Sequence, residues 1–345
     1  MRKMDVTIII PVYNVAPYIE DCIKSVIHQT YLGSIECLII DDCGTDDSMA
    51  LVERLIASYN GPIAFRILRH DHNRGLSAAR NTGTLQATGN YLYYLDSDDE
   101  ITENCIEVLM KRANENPLLE MVQGNTLKWH SKKSRSSIQL KKIHHPYAAT
   151  NTEVRKCFYN YQQMMFGVWN KLIRRDFVIN NNLLCQKGII SEDYLWSFNL
   201  LKYLNCAYFE STITYHYRIR PNSIVFSSSR KIKAHSFKTI YHTILTHLTP
   251  MSEREELDFF SAKIGYAYVR YVKMEPEYNN IILLCRKLSK QNGCGMSSVA
   301  YSFFRTLGRF KNGWIILALF DRLKKPSIIL RDICRLENSV VAKQG

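Results

Sequence analysis

The segment Tyr91–Asp99 reads YLYYLDSDD, an apolar run that ends in three carboxylates within four residues. A short continuous apolar run predicts a strand buried on both faces, as in a parallel sheet. Three carboxylates this close repel one another unless a cation or hydrogen-bond donors neutralise them. We therefore predict a buried strand with a ligand site at its carboxyl end. A solvated turn that caps the next helix is the alternative for so short a motif.

The chain upstream of this segment alternates strand and helix patterns. Strands are predicted at Val6–Ile10, Cys37–Ile40 and Phe65–Leu68, with helical patterns between them. Asn14 is predicted to cap the first helix, and Asp46 or Asp47 the second. This order predicts an α/β fold whose mostly parallel sheet is covered by helices on both faces and binds ligands at the carboxyl ends of its strands.

Polar clusters follow three of the four predicted strands at that edge of the sheet. They are Tyr13-Asn14, Asp41-Asp42 and Asp96–Asp99. Carboxylate oxygens on a loop suit Mg²⁺ or Mn²⁺, and such an ion needs only one or two protein carboxylates when substrate phosphates complete its coordination. The position of the third cluster at the ligand edge favours a metal site over a solvated turn.

Four blocks of the first hundred residues resemble the inverting, nucleotide-sugar-dependent family 2 glycosyltransferases, whose fold is GT-A. They read VTIIIPVYN at 6–14, IIDDCGTD at 39–46, NRGLSAARN at 73–81 and DSDD at 96–99, in the order and spacing of that family. Cys43 is a departure, because the family usually has glycine directly after the two aspartates. We expect a different turn there and the same chemistry. The resemblance implies a Rossmann-like GT-A catalytic domain.

The resemblance also implies which residues bind a UDP-sugar donor. The residues expected at the base and ribose are Pro11, Tyr13, Asn14 and Asp42, with Asp42 accepting the N–H of uracil N3. Asn73 and Arg80 are expected near the nucleotide. For Arg80, an ion pair with a nearby aspartate is the alternative.

The acidic cluster is expected to hold the donor and its metal. Asp96 and Asp98 are implied as ligands of Mn²⁺ or Mg²⁺ and of the ribose, and Ser97 lies between them. Asp99 is expected to face the sugar or to orient the metal ligands.

A catalytic carboxylate is expected farther along, where family members have a Glu-Asp pair. Glu192-Asp193 fits that pattern. An inverting transfer needs a base that takes the proton of the acceptor hydroxyl, and Asp193 is the candidate, with Glu192 beside it. The alternative is a helix that Ser191 caps, with two acids in its first turn.

The segment His216–Ile224 resembles a family segment that lies over the donor. Arg218 and Arg220 are therefore expected to neutralise the diphosphate leaving group. His216 is open between a place in the metal shell and packing in a strand. Trp169 is open between stacking on an acceptor sugar and packing in the core.

Charge is unevenly distributed along the chain. Residues 1–99 contain 8 Lys and Arg against 13 Asp and Glu, whereas residues 230–345 contain 20 against 9. A basic part joined to an acidic catalytic part favours an anionic membrane surface over nucleic acid as partner. Residues 301–336 suit an amphipathic helix on such a surface. A packed subdomain or a self-association helix that forms a homo-oligomer is the alternative. Ten cysteines without a CxxC pair favour a reduced, cytoplasmic location. Together with the basic C-terminal part, this predicts a cytoplasmic protein that is peripheral on the inner face of the cytoplasmic membrane.

Residues 1–225 are predicted to form the GT-A catalytic domain, with the donor half at 1–100 and the acceptor half at 101–225. Residues 226–345 are predicted to be basic and mainly helical. In the acceptor half, strands are predicted at Met121–Trp129 and Ala207–Tyr217, helices at Thr152–Phe166 and Ser191–Leu204, and a loop at Ser131–His145.

The hypothesis for function is transfer of a hexose or N-acetylhexosamine from a UDP-sugar to a hydroxyl of a glycan or lipid-linked acceptor, in bacterial cell-surface polysaccharide synthesis. One alternative is a sugar-phosphate nucleotidyltransferase, which normally needs a Gly-rich loop after the first strand that this chain does not have. The other is a non-catalytic relative that binds nucleotide or membrane.

Overall fold

Strands and helices alternate through the first hundred residues, as the apolar pattern predicts. They are β1 (Val6–Val12), α1 (Ala16–Ile27), β2 (Ile35–Asp41), α2 (Ser48–Ala57), β3 (Ala64–Arg69), α3 (Leu76–Gln86) and β4 (Tyr91–Tyr94). The computed structural model describes residues 4–130, 136–159, 161–220, 223–224 and 228–247. The chain divides into two compact units, Met1–Ser227 and Ser228–Gly345.

The rest of the described first unit mixes four helices with strands of two to thirteen residues. Its elements are β5 (Glu100–Ile101), α4 (Cys105–Glu115), β6 (Met121–His130), β7 (Ser136–Ile138), β8 (Tyr147–Ala148), α5 (Asn151–Tyr159), β9 (Lys171–Arg174), α6 (Arg175–Asn180), α7 (Asp193–Tyr203) and β10 (Ala207–Ile219). The described part of the second unit contains one helix, α8 (Arg230–His247). The predicted membrane helix at 301–336 lies outside the described residues, as do Pro221 and Asn222.

All ten strands belong to one sheet, whose main order is β3-β2-β1-β4-β9-β6-β10-β5. The four strands of the first hundred residues are parallel to one another. β9 is antiparallel to both β4 and β6, and β10 runs parallel to β6. The predicted α/β fold with a mostly parallel sheet is confirmed, and the carboxyl ends of β1, β2 and β4 lie side by side.

Helix α3 lies directly on the sheet because its residues are small. A Cβ atom at Gly83 would approach Ile9 Cγ2 to 2.3 Å, so no larger residue fits between the helix and β1. The strands beneath are fully buried: every residue of β1 and β2 is inaccessible or nearly so. This close packing draws the polar side chains of α3, including Arg80 and Asn81, into the interior.

Two predictions for the acceptor half were wrong in detail. The helix predicted over Thr152–Phe166 ends at Tyr159, and the side chain of Gln163 instead binds backbone groups of His144 and His145. The predicted loop over Ser131–His145 contains a strand, β7, which pairs with β6. In the first place the bonds of Gln163 to an earlier segment, and in the second the pairing of β7 with the neighbouring strand β6, replace the local structure that composition favoured.

Candidate functional site

The loops that follow β1 and β2 interlock at the carboxyl edge of the sheet. The side-chain oxygen of Asn14 accepts the N–H of Thr45 at 2.8 Å. Asp46 in turn accepts the N–H of Ala16 at 2.9 Å. The prediction that Asn14 caps α1 was therefore wrong, because an aspartate from the neighbouring loop accepts an N–H at the start of that helix. Asn14 has a φ of 50° and remains exposed at this edge.

Asp42 is buried at the end of β2 and organises the loop before α3. Its Oδ1 accepts the N–H of Arg74 at 2.8 Å and its Oδ2 accepts the N–H of Gly75 at 2.9 Å. The Nδ1 of His70 lies 2.7 Å from Oδ1. A carboxylate has about four lone-pair positions, so these contacts leave about one for another donor. The uracil contact stays a prediction, and His70 is a partner that the sequence did not suggest.

The other residues predicted at the nucleotide lie on the same edge. Pro11 is buried in β1, Tyr13 directly after that strand is 46% exposed, and Asn73 is exposed in the loop before α3. Cys43 is exposed and has a φ of 58°, a conformation that glycine adopts at little cost. Glycine would therefore adopt this backbone conformation with less strain than Cys43 does.

The acidic loop after β4, residues 96–99, is hydrogen-bonded to β10 through Asp99. Its Oδ2 accepts the Tyr215 hydroxyl at 2.8 Å and its Oδ1 accepts the N–H of Arg218 at 2.7 Å. Burial, together with the charges of Asp98 and Asp96, raises the pKa of Asp99 well above its usual range. The side chain is 1% exposed, so its contacts are to protein rather than to an open cleft.

Asp98 is partly exposed and pairs with a cation of the same chain. Arg220 Nε donates to Asp98 Oδ2 at 2.5 Å, and the Arg220 guanidinium lies 5.2 Å from the ring centre of Tyr18. Burial and the charge of Asp96 raise the pKa of Asp98, while Arg220 opposes that rise. Ser97, between the two acids, is buried.

Arg218 is more firmly held than Arg220. It donates to Glu100 at 2.6 Å and to Asp21 at 2.9 Å. Its guanidinium also lies 4.5 Å from the Trp129 ring and 5.2 Å from the Tyr18 ring. Of the two arginines predicted to meet a diphosphate, Arg220 has the fewer bonds to break. His216 is half-buried in β10 opposite Glu100.

Arg80 joins the acidic loop to the predicted catalytic pair. Its side chain is 3% exposed, donates to Asp96 Oδ1 at 2.6 Å and also donates to Glu192. Two carboxylates that are far apart in sequence thus share one guanidinium. The ion-pair alternative for Arg80 describes these contacts, and its expected place near the nucleotide stays a prediction.

Asp193 is the first residue of α7 and is half-buried beside this pair. Burial, and next the charge of Glu192, raise the pKa of Asp193 to about 7, and Asp96 also contributes. The residue that precedes the helix is Glu192, which makes no capping hydrogen bond with its side chain. Ser191 has a φ of 59° and does not cap α7, so the helix-capping alternative was wrong in its cap residue.

Lys171 is a functional candidate that the sequence prediction missed. It is fully buried at the start of β9, and its ammonium donates to the carbonyl of Gly167. Burial lowers the pKa of Lys171 to about 7, and the charge of Asp193 opposes that change. A lysine inside a buried strand was the available signal, because lysine is rarely fully buried without a reason.

The described residues include no cluster of three or more His, Cys, Asp and Glu side chains that could enclose a metal ion. Asp96 and Asp98 lie on one loop at the ligand edge, and each is half-buried with an arginine close by. Two carboxylates fit an ion that takes its other ligands from phosphate and water. Arg220 already pairs with Asp98, so an ion bound by Asp98 would have to compete with this guanidinium.

A family model and two related sequences agree on the family of this chain. The family model described as Glycosyl transferase family 2 matches residues 7–180. The uncharacterised glycosyltransferase YibD of Escherichia coli is 29% identical over 222 residues, which are 63% of this chain and 62% of that protein. The uncharacterised glycosyltransferase EpsJ of Bacillus subtilis is 31% identical over 222 residues, 64% of this chain and 62% of that protein. The matched regions thus span less than two thirds of these relatives.

Solved structures share the fold at lower identity. The S. aureus TarS structure with UDP-GlcNAc has a TM-score of 0.68 and 18% identity, and the match covers 88% of each chain. The mannosyltransferase PcManGT of Pyrobaculum calidifontis, solved with GDP-Man and Mn²⁺, has a TM-score of 0.53 and 14% identity, covering 99% of this chain and 86% of that one.

Proposed function

Because the chain belongs to glycosyl transferase family 2, we propose that it is an inverting, metal-dependent transferase. It moves a hexose or N-acetylhexosamine from a UDP-sugar to a hydroxyl of a glycan or lipid-linked acceptor. The setting proposed is bacterial cell-surface polysaccharide synthesis.

The observation that carries the proposal is the bridge that Arg80 makes. Asp96 belongs to the loop proposed to bind donor and metal, and Glu192 belongs to the pair proposed to deprotonate the acceptor. One buried guanidinium contacts both. A structural ion pair would need only one carboxylate. A bridge between two loops that are 96 positions apart supports a single site in which donor and acceptor groups keep a fixed separation.

Asp193 is the proposed base of this reaction. The acceptor hydroxyl oxygen attacks the anomeric carbon, its proton passes to Asp193, and the bond from that carbon to the diphosphate breaks with its electron pair leaving on UDP. A base works best when its pKa is close to the working pH, and the pKa of about 7 at Asp193 suits that task. A positioned base typically accelerates such a transfer by about 10²–10⁴-fold.

Asp96 and Asp98 are the residues proposed to hold Mn²⁺ or Mg²⁺. A bound ion of this kind supplies Lewis-acid stabilisation of the diphosphate that leaves. Asp99 supports the proposal indirectly, because its bonds to Tyr215 and to the Arg218 backbone fix the loop that carries both aspartates. Arg220 is proposed to move from Asp98 to the diphosphate, since a guanidinium binds phosphate oxygens well.

The donor class is proposed from chemistry and from structural neighbours. TarS and PcManGT were solved with UDP-GlcNAc and with GDP-Man plus Mn²⁺ respectively. The exposed Tyr13 and Asn73 on the edge beside Asp42 offer a ring face and an amide, which suit a base and ribose. We propose uracil over guanine because the one free lone pair of Asp42 matches a single N–H donor such as uracil N3.

A panel of UDP- and GDP-sugars with Mn²⁺, scored for release of UDP or GDP, tests the function. We expect one UDP-sugar to be consumed, and we expect Asp98→Ala to abolish that turnover. Release of pyrophosphate would indicate a nucleotidyltransferase instead. UDP binding without turnover of any donor, even with glycan acceptors added, would indicate a non-catalytic relative.

We also propose that the basic C-terminal part associates with an anionic membrane surface on the cytoplasmic side, where a lipid-linked acceptor would be available. Helix α8 carries four Lys and Arg residues and no acidic residue: Arg230, Lys231, Lys233 and Lys238. Among the described residues, no helix is both long and apolar enough to cross a bilayer. Co-sedimentation of the full chain with phosphatidylserine vesicles, against phosphatidylcholine vesicles as control, tests this. Equal binding to both would contradict it.

A further inference from the structure

A side chain of α3 pairs with the backbone of the segment that leads to α7. Asn81 Nδ2 donates to the Cys185 carbonyl at 2.9 Å, and the Cys185 N–H donates to Asn81 Oδ1 at 2.8 Å. Both residues are buried. Residues of antiparallel strands exchange two backbone hydrogen bonds in the same way, so the Asn81 amide takes the place of a strand residue opposite Cys185. The proposed mechanism gives this pair no task.

Helix α3 also contacts the other end of this segment. Arg80, the neighbour of Asn81, donates to Glu192, which directly precedes the proposed base. The same guanidinium donates to Asp96 of the acidic loop at 2.6 Å. Two adjacent residues of one helix thus attach residues 185–192 at both ends and join them to the acidic loop.

Between these attachments the segment forms an open turn. Gln186, Lys187 and Gly188 are exposed. Gly188 has a φ of 79°, and a Cβ atom there would meet nothing within 4 Å. Ser191, two residues before the base, also has a positive φ, of 59°. Packing around this turn does little to fix its place, so the position of the segment depends on the bonds at its two ends.

Both partners of the Asn81 pair are well supported. Helix α3 packs so closely on β1 that a Cβ atom at Gly83 would collide with Ile9. On the other side, the Trp196 indole N–H, in the first turn of α7, donates to the Leu183 carbonyl at 3.0 Å. The start of the segment is therefore joined both to α3 and to the helix that begins with the proposed base.

We infer that Asn81 is a positioning residue: its bonds to Cys185 place the segment that carries Asp193 at the separation from the acidic loop that sugar transfer needs. Asn81 acts through the Cys185 backbone and not on substrate. A misplacement of about 1 Å can cost on the order of a hundredfold in rate, so two hydrogen bonds outside the reacting groups are enough to control turnover. This inference rests on the proposed function.

Asn81→Ala removes both hydrogen bonds and tests the inference on the full chain. We expect kcat for the UDP-sugar that wild type consumes to fall by roughly 10- to 100-fold. The donor KM, and the affinity for UDP measured by calorimetry, should stay unchanged, because the Asn81 side chain bonds to Cys185 and not to the residues proposed to bind the donor. Hydrogen exchange measured by mass spectrometry should accelerate in peptides that cover 183–192 and not in those that cover β1 and β4.

Asn151→Ala is the matched control. Asn151 Nδ2 donates to the carbonyls of Leu201 and Leu204 at 2.9 Å and 2.8 Å, at the opposite end of α7. Its replacement also removes two hydrogen bonds from an asparagine side chain to the backbone. We expect a comparable shift of the urea unfolding midpoint, together with a wild-type kcat.

Asn81→Asp covers the case in which Asn81→Ala does not fold. The carboxylate has nearly the shape of the amide and can accept the Cys185 N–H, but it cannot donate to the Cys185 carbonyl. Here too kcat should fall while UDP affinity stays unchanged. A wild-type kcat in either variant, unchanged exchange over 183–192, or an equal loss of kcat in Asn151→Ala would overturn the inference. A wild-type chain that consumes no sugar nucleotide would instead refute the proposed function, and hydrogen exchange would still test the Asn81 pair.

Discussion

Replacement of Asp193 by asparagine distinguishes a catalytic role of this carboxylate from a purely structural role at the start of α7. It should lower activity and raise stability. Asp193 is half-buried, and burial raises its pKa from 3.8 to about 7. The folded protein therefore holds this proton more tightly than the unfolded chain does. Stability is lost as the pH rises from the ordinary pKa of aspartate to the raised value, and the loss is complete above the raised value. Asparagine carries no charge and avoids this loss.

The expected magnitude follows from the two pKa values. The difference corresponds to about 4 kcal/mol for a fully buried group. Because Asp193 keeps some contact with solvent, a gain of about 2 kcal/mol for Asp193→Asn near pH 8 is the realistic expectation. Near pH 5 the wild-type carboxyl is mostly protonated in the folded state, so most of the gain should disappear. Activity should fall by about 10²–10⁴-fold near pH 8 and by much less near pH 5, where the wild-type base is already mostly protonated.

Urea unfolding near pH 5 and near pH 8, together with release of UDP from the donor, measures both effects. Glu192→Gln is the matched control, since Glu192 is paired with Arg80 and its loss should destabilise the protein. The pH dependence of wild-type turnover gives an independent check, because the rate should rise about tenfold between one pH unit below the pKa of the base and the plateau. An Asp193→Asn variant that is no more stable than wild type near pH 8, or that keeps most of its activity, would refute this reasoning.

Three further substitutions test other parts of the site. Arg220→Gln removes the cation from Asp98, so Mn²⁺ binding without nucleotide should tighten by about fivefold while UDP binding weakens; Mn²⁺ titration by electron paramagnetic resonance and UDP calorimetry measure this, and unchanged Mn²⁺ affinity would contradict it. Arg80→Lys keeps one charge but cannot bond two carboxylates through a planar fork, so urea unfolding should show a loss of about 2 kcal/mol, and wild-type stability would refute the bridge. Cys43→Gly should raise stability by about 1 kcal/mol in thermal unfolding, because glycine accepts the positive φ, and Cys43→Ala is the control that should gain nothing.

The parts of the fold that local pattern controls could be predicted from the sequence. Val6–Ile10 and Tyr91–Leu95 are apolar runs, and a parallel strand is the structure that buries such a run on both faces. The order of strands and helices then leads to the sheet and its ligand edge. The polar residues that follow β1, β2 and β4 needed no further information, because the carboxyl ends of parallel neighbours lie together.

The parts that distant contacts control could not be predicted in this way. The partner of Asp99 is Tyr215, and the second partner of Arg80 is Glu192, each more than a hundred positions away. The start of α1 receives its acceptor from Asp46 of another loop rather than from Asn14. No periodicity encodes such pairs, since they depend on how β10 and α7 return to the sheet. Lys171 is similar, because its burial follows from the antiparallel insertion of β9 between β4 and β6.

The three aspartates of the acidic loop are the same residue type but have different bonding partners, and these partners distinguish their roles. Asp99 has both oxygens bonded to β10 and almost no exposed surface, so its charge serves to hold the loop. Asp96 and Glu192 share Arg80, so this aspartate links the acidic loop to the residue that precedes α7. Among the described residues, Asp98 forms an ion pair with Arg220 alone. A divalent metal ion can replace this single contact. A single acidic run therefore contains one carboxylate bonded to β10, one that shares an arginine with Glu192, and one with a single arginine partner, and the last two are those proposed as metal ligands.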